Sequence, residues 1–163
     1  MLMFREAVAE DVPAVVALLQ DDVLGATREG AAIDVYLTAF ARMASEANNN
    51  LIVGEHDGQI VATYQLTFIS GLSLGAARRA QIESVRVASA LRGQDVGAAM
   101  FADAEARARA AGCALMQLSM NKSRTDTARF YQRLGFTPSH IGYKRVLTER
   151  ARALWQTIFS TLS

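Results

Sequence analysis

The chain has 163 residues, is 51% hydrophobic and contains only 2 prolines, so it is long and apolar enough for one compact domain with a sizeable core. Its formal net charge is +1, with 17 basic residues interspersed among 16 acidic ones, which argues against a nucleic-acid-binding protein. It has 1 cysteine, no run of about 18 apolar residues and no signal-peptide core, so we expect a cytoplasmic protein without a membrane partner.

Strands and helices alternate through the first half of the chain. The predicted elements are a strand at residues 2–8, a helix at 11–19, a helix at 33–47, and two strands at 51–55 and 60–69. Asp11 and Pro13 are typical of the first turn of a helix. Asp57-Gly58 separates the two strands and predicts a tight hairpin turn.

The second half continues this alternation. The predicted elements are a strand at residues 80–87, a helix at 96–111, a strand at 114–120, a helix at 125–134, a strand within 140–147 and a helix at 149–162. The nearly continuous apolar run at 114–120 indicates a strand at the centre of a sheet, buried on both faces. Asp103 and Arg107 have i,i+4 spacing, and we expect this pair on the solvent side of its helix. Gly112 and Gly135 predict C-terminal helix caps.

The last predicted helix has one apolar side. The residues on it are Leu154, Trp155, Ile158, Phe159 and Leu162. Such a side requires burial, either against the same domain or against a second copy of the chain. We expect a homodimer contact at this helix.

A loop of small residues joins the strand at 80–87 to the following helix. It comprises Arg92-Gly93-Gln94-Asp95 and leads into Val96-Gly97-Ala98. Unpaired N–H groups and the dipole at a helix N-terminus attract anions, and small residues let the backbone approach them closely. The junction therefore predicts a diphosphate-binding site, to which Arg92 would add a fixed positive charge.

Several segments carry a family resemblance. They are Arg5-x-Ala7-x-x-x-Asp11, Glu83-x-Val85-x-Val87 leading into Arg92-Gly93-Gln94-Asp95-Val96-Gly97, and Asn121 followed by Ala128-Arg129-Phe130-Tyr131-Gln132-Arg133-Leu134-Gly135-Phe136. In this order the chain resembles the GNAT superfamily of acetyl-CoA-dependent N-acetyltransferases, over roughly residues 3–146.

The resemblance implies an α/β (α+β) fold whose mixed, mostly antiparallel central sheet is flanked by helices and splays beside its fourth strand. Acetyl-CoA would lie in the gap as a cosubstrate, and no metal is implied. Main-chain groups of the fourth strand would bind the pantetheine arm, and the loop would bind the diphosphate. The implied coenzyme-binding residues are Val85, Arg86, Val87, Arg92, Gly93, Gln94, Asp95, Val96, Gly97, Ala98, Asn121 and Tyr131.

Asp95 departs from the family pattern, because it stands where the first glycine of the loop is expected. A carboxylate about 4 Å from a phosphate costs about 1 kcal/mol in water and about 4 kcal/mol at a partly screened site. Alternatively, Asp95 points away from the diphosphate and caps the helix, a position in which aspartate is favoured. We expect the cap.

Glu83 is the candidate general base, since acetyl transfer requires an amine freed of its proton. It shares strand parity with Val85 and Val87, and partial desolvation there would make its carboxylate a stronger base. Alternatively, Glu83 is a structural partner of Arg86 or Arg78, and water relays the proton.

Tyr131 is the candidate acid, because the matching tyrosine of the family lies near the coenzyme sulfur and would donate a proton to the departing thiolate. Alternatively, Tyr131 packs in the core with its hydroxyl hydrogen-bonded.

Asn121 would hydrogen-bond the pantetheine arm or act as an ordinary turn residue. The backbone N–H of Val87 or of a neighbour would stabilise the oxyanion. We expect Cys113 to be a small core hydrophobe.

The sequence thus predicts an N-acetyltransferase that moves acetyl from acetyl-CoA to a primary amine of a small molecule by direct attack in a ternary complex. The alternatives are a non-catalytic acyl-CoA sensor or interaction module, and a protein lysine or N-terminal amine as the acceptor. Arg78 and Arg79 would favour an acceptor with a carboxylate if they lie at the acceptor mouth. Otherwise they form a solvated basic turn.

Overall fold

A computed structural model describes residues 1–21, 25–26, 29–121, 124–149, 151–153 and 156. The strands are β1 Leu2–Glu6, β2 Asn49–His56, β3 Gln59–Ile69, β4 Arg79–Val87 and β5 Leu115–Gln117. The longer helices are α1 Val12–Gln20, α2 Ile33–Ser45, α3 Val96–Ala110 and α4 Thr125–Arg133. The strands form one sheet in chain order, antiparallel from β1 to β4 and parallel between β4 and β5, so the predicted mixed, mostly antiparallel sheet is confirmed.

The β2–β3 hairpin forms the centre of the sheet. Asp57 and Gly58 both have positive φ, +50° and +75°, as a tight hairpin turn requires. Alternate β3 residues, Ala62, Tyr64 and Leu66, are fully buried and pack with α3. Thr63, on the opposite face, is also fully buried, because α1 packs across β3 there. Helices therefore cover both faces of the hairpin.

Helix α3 is anchored to the sheet by polar contacts as well as by apolar ones. Its buried side consists of Val96, Met100, Phe101, Ala104 and Ala108. The Tyr64 hydroxyl donates to the Asp103 carboxylate, and Arg107 donates to Asp103 at 2.8 Å and to the Phe4 carbonyl at 3.3 Å. The prediction that Asp103 and Arg107 face solvent is therefore wrong, since this pair lies where α3 meets β1 and β3.

Strand β4 carries a bulge at Ser84, whose φ is +52°. Glu83 pairs with Gln65 of β3, whereas Arg86 pairs with Thr63. Two β4 residues thus oppose one β3 residue between these pairs, and the extra residue reverses the alternation of side chains along the strand. Glu83 and Arg86 consequently share one face of the sheet.

Strands β4 and β5 separate soon after they begin to pair. Pairing runs from Arg79 with Leu115 to Gln81 with Gln117 and stops there, while β4 continues to Val87. The predicted splay beside the fourth strand is confirmed. The prediction of a long central strand at 114–120 is wrong, because β5 is short and half-buried, and only β4 pairs with it among the described residues.

The predicted strand within residues 140–147 is also not formed, since residues 136–147 have no regular secondary structure. Ile141, Tyr143 and Leu147 alternate as they would in a strand, but they are 81%, 90% and 84% exposed. Without a neighbouring strand to accept its hydrogen bonds, an alternating apolar pattern does not by itself produce sheet structure.

The apolar residues of the predicted last helix lie outside the described residues, so the expected homodimer contact stays a prediction. None of the helices in the described part of the chain is long and apolar enough to cross a membrane.

Candidate active site

The separation of β4 from β5 opens a gap along the edge of β4. Beyond Gln81, no strand pairs with this edge in the described ranges. An extended ligand with amide groups can add to such an edge through main-chain hydrogen bonds. Val85, Arg86 and Val87 lie on this segment, at the positions predicted to meet the pantetheine arm. The Val85 and Val87 side chains pack against the core, which leaves the main chain as the part available to a ligand.

The loop after β4 ends at the N-terminus of α3. Gly93 has a φ of +81°, and α3 begins at Val96. The first-turn N–H groups of a helix have no intrahelical acceptor, and no side chain caps α3 among the residues that the structure describes. These groups and the helix dipole are the features that favour a bound anion.

Asp95 occupies the N-cap position of α3 through its backbone alone. Its carbonyl accepts the N–H of Ala99 at 3.0 Å, but its carboxylate makes no capping hydrogen bond, so the expected cap is not found. Its φ and ψ are +60° and +3°, in the left-handed region. This explains why glycine suits the position, and aspartate is one of the few other residues that tolerate it.

Arg92 and Gly97 have structural partners. The Arg92 guanidinium donates to the Val87 carbonyl at 3.2 Å and to the backbone carbonyl of Asp21, and it lies 3.5 Å from the Asp21 carboxylate. Arg92 therefore ties the loop to the end of α1, and its charge is partly balanced there. A Cβ on Gly97 would lie 3.1 Å from the Phe130 ring, so this glycine allows α4 to pack closely on α3.

Glu83 lies beside the gap but not in the environment that its sequence position suggested. The bulge places Glu83 on the face of Arg86, whereas Val85 and Val87 pack against the core, so the expected shared parity is wrong. The Glu83 side chain is exposed and makes no hydrogen bond or ion pair with any described residue. The carboxylate is therefore accessible to an incoming amine.

Arg78 is not a partner of Glu83 and does not lie in a solvated turn. Its guanidinium donates to the Ala111 carbonyl at 2.7 Å and to the Asn48 side chain at 2.9 Å, and it stacks over the Phe68 ring at 5.4 Å. Arg78 thus fastens the C-terminal end of α3 to the sheet.

Tyr131 belongs to an aromatic cluster between α3 and α4. Its ring centroid lies 5.5 Å from that of Phe101 and 5.6 Å from that of Phe130. Burial raises the pKa of the Tyr131 phenol, and the positive charges of Arg124 and Arg86 oppose part of that rise. The phenol is protonated at neutral pH, as an unperturbed tyrosine also is, and the raised pKa makes it a weaker proton donor.

Asn121 and Cys113 lie on either side of β5. The Asn121 carbonyl accepts the N–H of Arg124 at 3.0 Å, which is the geometry of a turn. Cys113 packs against the core, and burial raises the pKa of its thiol, as expected of a small core hydrophobe.

Sequence reasoning missed one feature of this site. The Ser84 bulge has no local signal, because it appears only in the register of β4 against β3.

Comparison with known proteins agrees with this arrangement. The family model described as acetyltransferase (GNAT) family matches residues 14–136. An aminoalkylphosphonate N-acetyltransferase of Salmonella typhimurium is 40% identical over 67 residues, which cover 41% of this chain and 44% of that protein. The chain thus spans less than half the length of this curated relative.

Solved structures share the fold. The crystal structure of a protein from Bacillus halodurans, described as a transcriptional regulator, has a TM-score of 0.86 at 40% identity and covers 90% of this chain and 100% of that one. A Clostridium acetobutylicum protein with acetyl-CoA, described as a predicted acetyltransferase, has a TM-score of 0.69 at 17% identity, covering 88% and 96%. The latter likeness concerns the fold alone. With a family match that extends from α1 to the end of α4, the chain belongs to the GNAT family of acetyltransferases.

Proposed function

We propose that this acetyltransferase transfers the acetyl group of acetyl-CoA to the primary amine of a small molecule, by direct attack within a ternary complex. The observation that carries the proposal is the edge of β4 beyond Gln81, with which no described strand pairs, followed in the chain by the N-terminus of α3, which no described side chain caps. One supplies main-chain partners for the pantetheine arm, and the other supplies N–H groups for the diphosphate. In the same proposal residues 1–163 form a single domain that acts in the cytoplasm.

Four groups of the chain each have one role in binding or in the reaction. Glu83 accepts a proton from the ammonium of the acceptor, and the resulting amine forms an N–C bond with the thioester carbonyl. The backbone N–H of Val87 or of a neighbour stabilises the oxygen as charge develops on it. The C–S bond then breaks, the Tyr131 phenol gives its proton to the leaving thiolate, and the nitrogen of the new amide loses its second proton to solvent. Asn121 hydrogen-bonds the pantetheine arm. Solvent restores the protonation states of Glu83 and Tyr131.

The named relative supports a small-molecule acceptor, since it is described as acting on aminoalkylphosphonates. The test is therefore an amine panel that includes aminoalkylphosphonates, amino acids, polyamines and a lysine peptide. Release of the CoA thiol is followed in each case. If only the lysine peptide is acetylated, the acceptor is a protein and not a small molecule.

We expect Glu83→Gln and Tyr131→Phe each to lower kcat by about 100-fold or more, because each removes a proton-transfer group. Glu105→Gln is the matched control, since Glu105 lies on α3, pairs with Arg109 at 2.6 Å and should leave kcat unchanged. If kcat survives in the Glu83 variant, water or another group is the base. If kcat is unchanged in Tyr131→Phe, this tyrosine contributes to packing alone.

The Bacillus halodurans relative supports a second candidate, an acyl-CoA-binding regulatory module without catalysis, because that protein is described as a transcriptional regulator. Tight acetyl-CoA binding without turnover of any amine would favour this alternative.

A further inference from the structure

The two faces of β4 differ in character ahead of the bulge. Ala80 and Ile82 are buried in the core on the α3 side of the sheet, whereas Gln81 and Glu83 alternate with them and lie on the opposite face. The Glu83 side chain is exposed, and Gln81 is half-buried. An acceptor that brings its ammonium to Glu83 therefore approaches on this opposite face, and the side chains beside Glu83 there decide what other groups it can carry.

Glutamine side chains are the neighbours of Glu83 on this face. Gln65 pairs directly with Glu83 across β3 and β4, and Gln81 precedes Glu83 by two residues on the same strand. Cross-strand partners have Cβ atoms about 5 Å apart, and alternate residues of one strand lie about 7 Å apart. Both amides are thus within reach of a small molecule whose ammonium is at Glu83.

Each of these two amides is held by a second amide. Gln65 Nε2 donates to the Asn49 side-chain oxygen at 2.8 Å, and the Gln81 side-chain oxygen accepts from Gln117 Nε2 at 2.7 Å. The four residues come from the adjacent strands β2 to β5, and we call them the amide row. All four are half-buried, so the row is fixed by its own contacts yet still reachable from solvent.

The hydrogen-bonding capacity of Gln65 and Gln81 is largely unused. A carboxamide has two N–H donors and an oxygen with two lone pairs, so a single hydrogen bond leaves both donor and acceptor capacity. Neither glutamine makes another side-chain hydrogen bond with any described residue. Both amides can therefore donate to a ligand and accept from it.

The charges that border the amide row favour an ammonium over an anion. Glu83 lies beside it, and the Glu46 carboxylate accepts a hydrogen bond from Asn49 at 2.6 Å. Two arginines share this face, but Arg79 lies about 13 Å along β4 from Glu83. Arg86 lies beyond the bulge and donates to a main-chain carbonyl at 2.8 Å. An anionic group placed at the row would thus meet carboxylates first.

We propose that Gln65 and Gln81 hydrogen-bond uncharged groups of the acceptor, so that the preferred substrates are small primary amines that carry hydroxyl groups. A hydroxyl donates and accepts as an amide does, whereas an anion only accepts and a methyl group does neither. This inference rests on the proposed function, because it assumes that Glu83 receives the ammonium. Gln65 and Gln81 determine specificity, and Asn49 and Gln117 position them.

The test uses three amines with one branched three-carbon skeleton: 2-amino-1,3-propanediol, 2-aminopropane and serine. The first, the diol, carries two hydroxyls and the second carries none. In serine a carboxylate replaces one hydroxymethyl group. We expect kcat/KM to be about tenfold or more higher for the diol than for either of the others, the effect of one or two additional hydrogen bonds.

Methionine removes the amide and keeps a side chain of similar length. Gln65→Met and Gln81→Met should each raise KM for the diol about fivefold, since each removes one hydrogen-bonding partner. The rise should be smaller for 2-aminopropane, which has no hydroxyl to lose. Gln59→Met is the matched control, because Gln59 is exposed at the hairpin end of β3.

Equal kcat/KM for the diol and 2-aminopropane would overturn the inference while leaving the proposed function intact. A preference for serine would also overturn it, since the acceptor would then be selected for an anionic group.

NMR titration of the protein in the presence of CoA tests the inference without turnover. We expect the diol, but not 2-aminopropane, to shift the side-chain amide signals of Gln65 and Gln81. Absence of these shifts would contradict the inference even if amines are acetylated. Shifts without acetylation of any amine would contradict only the proposed function.

Discussion

Asp95 illustrates how a single backbone conformation constrains the choice of residue. Its left-handed φ and ψ favour glycine, yet an aspartate stands there with its carboxylate uncapped and exposed beside the N-terminus of α3. The residue therefore carries two separate costs. One is backbone strain in the free protein, and the other would be repulsion of the diphosphate that we propose to bind at this N-terminus.

Asp95→Gly should separate these costs when compared with Asp95→Asn. Glycine removes both the strain and the charge, so we expect the free energy of unfolding to rise by about 1 kcal/mol and the Kd for acetyl-CoA to fall about fivefold. Asparagine removes the charge and keeps a side chain, so only the Kd should fall. Chemical denaturation and calorimetry measure the two quantities. An unchanged Kd in both variants would show that the carboxylate points away from the diphosphate.

At the level of elements, α3 and β4 connect the core to the site. The hydrogen bonds among Tyr64, Asp103 and Arg107 hold α3 against the sheet, and the same helix presents its N-terminus to the loop. In β4 the Ser84 bulge decides which side chains border the gap. A substitution in α3 or β4 is therefore expected to alter the site even where the substituted residue does not contact a ligand.

Tyr64→Phe tests the α3 anchor. We expect a loss of about 1.5–3 kcal/mol in the free energy of unfolding, because a buried hydrogen bond to a charged group is removed. Tyr143→Phe, at a tyrosine that is 90% exposed, is the control and should cost nothing measurable. An equal loss in the two variants would show that the hydroxyl contributes no anchoring.

The pH dependence of the free energy of unfolding is a second test of Tyr64. Burial and the hydrogen bond to Asp103 raise the pKa of Tyr64 in the folded protein above its ordinary value of 10.0. The folded state therefore retains this proton at a pH where the unfolded state loses it. The stabilisation is fully present below pH 10.0 and is lost as the pH rises from there toward the raised pKa. Denaturation between neutral pH and pH 11 should show a steeper loss above about pH 10 in the unmodified protein than in Tyr64→Phe.

For the whole molecule, local patterns predicted most of the elements, and long-range contacts decided the two strands that were predicted wrongly and the arrangement of the site. The alternation around Tyr64 and the caps at Gly112 and Gly135, which have φ of +72° and +87°, depend on neighbouring residues, so the hairpin and the C-terminal ends of α3 and α4 followed from the sequence. The partial burial of Asp103 and the sheet face on which Glu83 lies depend on which strand lies opposite, and no local pattern contains that information. The resemblance to GNAT proteins identified the family, because its motifs occur in order over most of the chain.

The most direct measurement of the central claim is mass spectrometry of the purified protein with acetyl-CoA and the amine panel, together with quantification of the CoA thiol. We predict that one small amine gains an acetyl group and that each acetylated molecule is matched by one released thiol. Thiol release without an acetylated amine would indicate hydrolysis of the thioester. That result, or the absence of both products, would contradict the proposed transfer.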